Sequence, residues 1–234
     1  MNQRLRTFFF CLVLLSLDAV AETITSQLPA KAPVLQHLAG AYWRVDGAFA
    51  SRILITNILA ISPLRVTPVI YMADGIEFDL KPITLAANGV SVVSINEALQ
   101  GVSPEILARA SSFGSAGLKY MYPYAGAAVA TVQNIDPVRS LNYTFPMSTF
   151  GKSAASSTTI TKNGLWWKYN AEVEGFVAVT NTGISARTVV LQLRSANGVL
   201  RTSTHFSLLP NATQVLTLSE MKAGRDSGDG SGSI

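Results

Sequence analysis

Residues able to carry out catalysis are few in this chain, and their spacing completes no catalytic group. Nucleophilic catalysis requires a base beside the nucleophile, and the chain contains two histidines, His37 and His205. His37 lies in an N-terminal stretch without clear periodicity, and His205 lies in a strand-like run where a surface position is expected. The G-x-S-x-G turn that exposes the serine of a hydrolase does not occur. We therefore predict no catalytic residues and no enzymatic activity.

Two pairs of carboxylates have a spacing that could serve acid–base chemistry. Glu77 and Asp79 are two residues apart on a predicted strand and share a face, as do Glu172 and Glu174. Glycoside hydrolysis uses two carboxyl groups about 5 to 10 Å apart. Neither pair recurs in the other copy of an internal repeat, so we interpret both as parts of solvated strand faces.

Metal-binding and phosphate-binding patterns are also incomplete. Asp226 and Asp229 lie in a Gly-rich stretch, but they are three residues apart and lack the alternating acidic spacing of a calcium loop. Gly-rich phosphate loops that end in Gly-Lys-Ser or Gly-Lys-Thr are missing. We predict no metal site and no cofactor.

Aromatic residues offer the better candidates for binding. Trp166 and Trp167 are adjacent, and because side chains alternate along a strand they must point to opposite faces. Trp167 matches Trp43 in the repeat, which favours a core position for both. Trp166 matches Tyr42, and these two residues are predicted to face outward, where an aromatic ring can stack on a sugar or on an apolar patch of a partner. The alternative is that the linker or the other copy covers them.

A second possible aromatic strip consists of Tyr120, Tyr122 and Tyr124, which alternate along one predicted strand and the turn after it. Residues two apart on a strand share a face. These three tyrosines complete the set of candidate ligand-binding residues.

The elements that must position these residues are repeated. Arg65–Leu99 is echoed without a gap by Thr188–Lys222, at an offset of 123. The residues shared by the two blocks are Val66, Ala73, Gly75, Leu85, Asn88, Val92 and Glu97, which recur as Val189, Ala196, Gly198, Leu208, Asn211, Val215 and Glu220. Upstream, Ile53-x-Ile55-Thr56-Asn57 recurs as Val177-x-Val179-Thr180-Asn181 at an offset of 124, so one residue is lost in the intervening loop.

Short β-branched and aromatic runs separated by turn residues indicate strands. The predicted strands of the first copy are residues 51–57, 65–72, 76–80, 90–95, 118–122, 127–133 and 140–145. Asp74-Gly75 and Asn88-Gly89 supply the positive φ angles that tight turns need. One or two helical turns are expected near Asn96–Leu99 and Ser103–Ala110. The spacing favours an antiparallel sandwich over alternating strands and helices.

Composition and the N-terminus indicate an exported protein. Residues 1–21 combine Arg4 and Arg6, an apolar run and an Ala-x-Ala site, which together are typical of a secretory signal peptide. The only cysteine, Cys11, lies within it, so the mature chain cannot form disulfides. The formal net charge of +4 is scattered, which argues against a nucleic-acid partner. Membrane contact is expected only through the signal peptide before cleavage.

The expected organisation follows from the repeat and from changes in composition. Residues 22–40 are predicted to be a tether, 41–150 a first β-sandwich module, 151–163 a polar linker, and 164–234 a second module. Gly114–Leu118 opens the last three strands of the first copy, whereas the similar Gly230–Ile234 ends the sequence. We expect a second module without its last strands, which is either continued in a longer protein or completed by a neighbour that pairs with the open sheet edge.

Four segments of the second copy combine β-branched strands with turn residues: Val179–Gly183, Val189–Leu193, Asn197-Gly198 and Ser207–Asn211. In these segments the second copy resembles the immunoglobulin-like modules of bacterial surface and secreted proteins that are described as cell-adhesion-related domains. Copy one keeps Thr56-Asn57 but continues with Ile58-Leu59, so its turn there must differ. The resemblance implies an immunoglobulin-like fold and an extracellular setting, and it carries no catalytic residues.

The sequence thus predicts an all-β protein of two tandem immunoglobulin-like sandwich modules, secreted to the periplasm, the cell surface or the medium. A non-catalytic structural, adhesive or assembly role is expected, with a protein or polysaccharide partner. The alternatives are a carbohydrate-binding module of a larger secreted enzyme and an enzyme in its own right.

Overall fold

Alternating apolar and polar residues produce antiparallel sheets, and the all-β prediction is confirmed. The computed structural model describes residues 31–102, 112–149, 166–169, 175–221 and 230–233. The strands of the first half are β1 Val34–Arg44, β2 Ala50–Asn57, β3 Leu64–Met72, β4 Glu77–Asp79, β5 Ile83–Leu85, β6 Val90–Ser94, β7 Phe113–Tyr122, β8 Ala128–Asp136, β9 Leu141–Pro146 and β10 Ser148–Thr149. Those of the second half are β11 Trp166–Tyr169, β12 Phe176–Thr180, β13 Arg187–Ser195, β14 Leu200–Leu208, β15 Thr213–Thr217 and β16 Gly230–Ser233. Two short helices are α1 Ile95–Gln100 and α2 Leu218–Met221.

The first half is a sandwich of two sheets. Sheet 1 has the strand order β10-β1-β7-β3, with β4 and β5 both paired to the far side of β3, and sheet 2 has the order β6-β2-β8-β9. The inward side chains form one apolar cluster, in which Trp43, Ile53 and Ile55 are fully buried. The Trp43 indole N–H donates to the Ser115 carbonyl across β1 and β7 at 2.9 Å. The predicted core position of Trp43 is thereby confirmed.

The second half is smaller. Sheet 3 is the pair β12-β15, and sheet 4 has the order β11-β16-β13-β14. Its buried apolar cluster consists of Val177, Leu191, Leu193, Leu218 and Met221. Residues Val34–Ile234 form one compact unit, so both halves belong to it.

The tether prediction is wrong for residues 34–40, which belong to strand β1. Leu38 and Ala39 are buried, because β1 pairs with β7 along most of its length. The register shifts between Leu38 and Ala41, and Gly40 has a φ of +92° at this irregularity. A β-bulge of this kind bends the strand, and glycine adopts the positive φ without strain.

The strand predicted at residues 118–122 is longer than expected, since β7 begins at Phe113. Two glycines explain why small residues occur inside this strand. A Cβ atom at Gly114 would lie 2.1 Å from the Tyr71 carbonyl oxygen and 2.9 Å from the Trp43 ring. A Cβ atom at Gly117 would lie 3.1 Å from the Tyr71 ring. The glycines therefore make room for two large buried side chains.

The predicted helical turn at Asn96–Leu99 is confirmed as part of α1. Its N-cap is Ser94, whose hydroxyl accepts a hydrogen bond from the Glu97 N–H at 3.3 Å. The Asn96 side chain serves a different purpose, because its Oδ1 accepts from the Ser51 N–H at 2.9 Å and ties the helix to β2.

Several predictions lie outside the described residues: the signal peptide, the linker 151–163, the helix at Ser103–Ala110, the pair Glu172 and Glu174, and the loop with Asp226 and Asp229. The side-chain orientations predicted for Trp166 and Trp167 lie outside them as well. Within the described part of the chain, no helix is long and apolar enough to cross a membrane.

Candidate functional site

Tyr42 is buried between the two halves of the molecule. It is only 4% exposed, and its ring lies 5.8 Å from Phe145 and 5.6 Å from Phe176 of β12. Burial raises the pKa of its hydroxyl, so the phenol stays neutral. The prediction that Tyr42 faces a ligand is wrong, because a strand from the second half covers this face of sheet 1.

Arg44 extends the same interface. Its guanidinium donates to Asp46, with Nε 2.6 Å from Oδ1, and lies 4.1 Å above the Phe49 ring and 5.6 Å from the Phe176 ring. This hydrogen bond holds the pKa of Asp46 below its usual value. A cation between two aromatic faces gains favourable energy from both rings. Phe176 is therefore held by Tyr42 on one side and by Arg44 on another.

Backbone contacts bring the two halves together at a second place. The Thr213 N–H at the start of β15 donates to the Ala73 carbonyl oxygen at 2.9 Å. A Cβ atom at Gly75 would lie 2.2 Å from the Pro210 carbonyl oxygen. The repeated turn glycine thus has a φ of +91° and also lets the second half approach.

The tyrosine strip predicted along β7 is not formed. Tyr120 is 3% exposed and belongs to the core of the first half, and Tyr122 is half-buried against the same core. Tyr124, in the turn that follows, is 60% exposed. Because the shared face of Tyr120 and Tyr122 points inward, these two residues stabilise the sandwich instead of forming a ligand platform.

The carboxylate pair Glu77 and Asp79 lies on the outer face of sheet 1 and is bridged by Lys119. The Lys119 ammonium contacts Glu77 and lies 2.8 Å from Asp79. Burial alone would lower the pKa of Lys119, but its hydrogen bonds to Asp79 and Glu77 raise it overall. The two carboxylates are therefore ion-pair partners of one ammonium on this face.

His37 contacts Tyr71 beside this ion cluster. The Tyr71 hydroxyl lies 2.8 Å from His37 Nε2, and the Tyr71 ring is buried. Burial lowers the pKa of His37, and Lys119 lowers it further. Burial also raises the pKa of Tyr71, which disfavours a nucleophilic phenolate. His205, by contrast, is exposed on β14, far along the chain from this pair.

Asn57 lies at the end of β2, where its side chain joins two loops; we call this arrangement an asparagine corner. Its buried side-chain amide donates to the Ser62 carbonyl at 2.9 Å and to the Ala86 carbonyl at 2.8 Å. Its Oδ1 accepts from the Leu59 N–H at 3.0 Å. One side chain thereby satisfies buried backbone groups from two loops.

Asn181 forms the corresponding asparagine corner at the end of β12. Its amide donates to the Ser185 carbonyl at 2.9 Å and to the Leu209 carbonyl at 3.1 Å, and its Oδ1 accepts from the Gly183 N–H at 2.9 Å. The acceptors Ser185 and Leu209 each lie 123 positions after Ser62 and Ala86. The same hydrogen-bond pattern therefore occurs twice.

The pairing registers recur in the same way. Thr56 faces Val90 in the pair β2–β6, and Thr180 faces Thr213 in the pair β12–β15. Beside β2 there is a further strand, β8, in register from Ala50 to Asn57. Beside β12 the described part of the chain provides no such strand, and sheet 3 has two strands. Among the described residues, this edge distinguishes β12 from β2.

No family model, curated protein or solved structure matches this chain. Within the described residues, no group of three or more His, Cys, Asp or Glu side chains is arranged to hold a metal ion.

Sequence reasoning missed the contacts that depend on the meeting of the two halves. Arg44 ends the motif Tyr42-Trp43-Arg44, which recurs as Trp166-Trp167-Lys168, and Phe176 lies beside a repeated motif, but neither residue was a candidate for a contact between the halves. Asn57 and Asn181 were visible as repeated residues, and an asparagine retained at the end of two matching strands is the signal that could have indicated a corner.

Proposed function

We propose that this chain is an exported, non-catalytic β-sandwich protein with a structural, adhesive or assembly role at or outside the bacterial cell surface. In this proposal it consists of two related immunoglobulin-like units. Supporting the relation are the two asparagine corners, the matching registers of β2–β6 and β12–β15, and the pairing of Leu64 with Leu85, which corresponds to that of Arg187 with Leu208.

The observation that carries the proposal is the burial of Tyr42 by Phe176. The aromatic face that could have offered a binding platform joins the two halves to each other, and Arg44 adds to this contact. Two sandwiches joined through buried aromatic rings resist relative motion, because separating them exposes apolar surface to water. Resistance of this kind suits a building element more than an enzyme that must open and close.

The ion cluster on the outer face of sheet 1 supports a non-catalytic role. Glu77 and Asp79 both neutralise Lys119, so they act as ion-pair partners of a partly buried ammonium. The carbohydrate-binding alternative loses two of its predicted aromatic residues, because Tyr42 and Tyr120 are buried. Titration of the protein with polysaccharides should leave the tryptophan fluorescence unchanged, both in the wild type and in Trp166→Ala.

Disruption of the gene in its host, with complementation by variants, tests the proposal. Loss of the protein should impair surface attachment or envelope integrity, and fractionation should place the wild-type product outside the cytoplasm. The double variant Glu77→Gln/Asp79→Asn should restore the phenotype, whereas Phe176→Ala should restore it poorly. Failure of the carboxylate variant, produced in normal amount and folded, would favour an enzyme and contradict the proposal.

A further inference from the structure

The edge of β12 that faces away from β15 has a defined counterpart in the first half. Strand β2 lies between β6 and β8, and β12 matches β2 in its register with the neighbouring strand β15. No described strand occupies the position beside β12 that corresponds to β8. The first half therefore shows what kind of strand this position accepts.

The backbone of β12 presents hydrogen-bonding groups to this open side. The Asn181 N–H donates to the Ala212 carbonyl, and the Leu218 N–H donates to the Gly175 carbonyl. The backbone groups of the odd-numbered residues 175–181 therefore point towards β15. Hydrogen bonding alternates from side to side along an antiparallel strand. The N–H and C=O groups of Phe176, Ala178 and Thr180 therefore point to the open edge.

Side-chain burial differs between β12 and its counterpart β2. Ile55 of β2 is fully buried, whereas its counterpart Val179 in β12 is only half-buried. In the first half, β8 completes the cover. Its first three inward side chains are small or β-branched, and all three are buried: Ala128, Ala130 and Val132.

We propose that the open edge of β12 binds an antiparallel β-strand of a partner protein, with small or β-branched apolar residues at alternate positions as in β8. Strand addition of this kind combines main-chain hydrogen bonds with selection of alternate side chains. A second copy does not provide the strand, because its own β8 is held between β2 and β9. This inference rests on the proposed assembly role and names the partner's chemistry.

A peptide of residues 127–136, which contains β8, is the probe. Fluorescence anisotropy of the labelled peptide with the full exported chain should give saturable binding. The peptide variant Val132→Lys should bind at least about tenfold more weakly, since Val132 pairs with Ile53 in the first half and the lysine would place a charge against the matching residue Val177. The peptide variant Val129→Lys should bind like the parent, because Val129 is exposed in β8. These variants leave the protein unchanged, so its folding is not in question.

Two proline variants of the protein locate the site. Ala178→Pro removes an N–H that points to the open edge and should abolish peptide binding. Val92→Pro removes an outward N–H of the edge strand β6 and should leave binding unchanged. Circular dichroism should show that both variants remain folded, and hydrogen exchange at Ala178 should slow when the peptide binds.

Three outcomes would overturn the inference: no peptide binding at millimolar concentration, equal binding of the two lysine peptides, or a wild-type protein that self-associates through β12 in sedimentation experiments. Each of these would leave the gene-disruption phenotype intact, so failure of the strand site and failure of the assembly role can be told apart.

Discussion

At the residue scale, one asparagine at the end of β2 and one at the end of β12 hydrogen-bond to the neighbouring loops. The side-chain amide of the fully buried Asn57 donates to three carbonyls and its Oδ1 accepts from one N–H, and Asn181 makes the same number of bonds in the second half. A buried carbonyl that loses its donor has no water to replace it. These side chains are therefore structural, and the same set of hydrogen bonds stabilises the end of a strand in both halves.

Replacement of Asn57 by alanine should lower the free energy of unfolding by about 2 to 4 kcal/mol, because several buried backbone groups lose their partners at once. Urea denaturation followed by circular dichroism measures the change. The control is Asn142→Ala, at an exposed position of β9, where a change within about 0.5 kcal/mol is expected. Equal effects of the two substitutions would contradict the structural role of the corner.

His37 should make stability depend on pH. Burial and Lys119 lower its pKa below the unfolded value of about 6.5, while Glu77 and Asp79 partly oppose the shift. Between the folded and unfolded pKa values the unfolded chain binds more protons, so stability rises with pH through this window. The contribution is complete above the unfolded pKa and declines as the pH falls towards the folded one.

The urea midpoint of the wild type should therefore fall more between pH 7.5 and pH 5 than that of His37→Gln. The variant His205→Gln, which alters the exposed imidazole of β14, should keep the wild-type pH dependence. Identical pH profiles for the wild type and His37→Gln would show that the His37–Tyr71 contact is not linked to protonation.

At the scale of elements, strand β7 can pack where it does because two of its residues are glycines. It lies between β1 and β3 and carries Gly114 and Gly117 where the rings of Trp43 and Tyr71 need space. Glycine inside a strand is ordinarily unfavourable, because it gains entropy in the unfolded chain. Here the cost is offset by the burial of two large aromatic residues.

Gly114→Ala should lower the free energy of unfolding by about 1 to 3 kcal/mol, since the new methyl group would overlap backbone of β3 and the Trp43 ring. The fluorescence of the buried tryptophan should change together with stability. Gly101→Ala is the matched control, because its Cβ would lie 3.5 Å from the Ala98 carbonyl oxygen, which is an ordinary van der Waals contact. A neutral Gly114→Ala would refute the close packing at this site.

For the whole molecule, the important feature is that the second half covers sheet 1. Phe176 contacts Tyr42, Tyr143 and Arg44, and Thr213 adds a backbone hydrogen bond to Ala73. Contacts between two cores couple their unfolding, because neither half can lose its structure without exposing this surface. We expect a single cooperative thermal transition for the wild type.

Phe176→Ala should remove about 2 to 4 kcal/mol of stability and split the calorimetric transition into two, as the halves begin to unfold separately. Leu209→Ala, at a 60% exposed apolar position of the second half, should leave one transition. A single unchanged transition in Phe176→Ala would show that the aromatic contact does not join the halves.

Much of the secondary structure follows from local sequence, and the candidate site does not. Asp74-Gly75 and Asn88-Gly89 were identified as turns, and Gly75 and Asn88 indeed have positive φ angles. Alternation identified the strands that flank them. Residues 34–40 were missed because they lack turn signals and a regular pattern, and they become a strand only through pairing with β7, about 80 positions away.

The sequence by itself determined the all-β character, the turns, the buried Trp43 and the repeated Asn57 and Asn181, because these depend on backbone preferences and alternation within a few residues. The tertiary structure alone decided that Tyr42 is covered, that Glu77 and Asp79 share Lys119, and that β12 has a strand on one side. Burial and pairing of this kind are set by which distant layers meet, and local alternation says that a side chain points outward without saying what lies there.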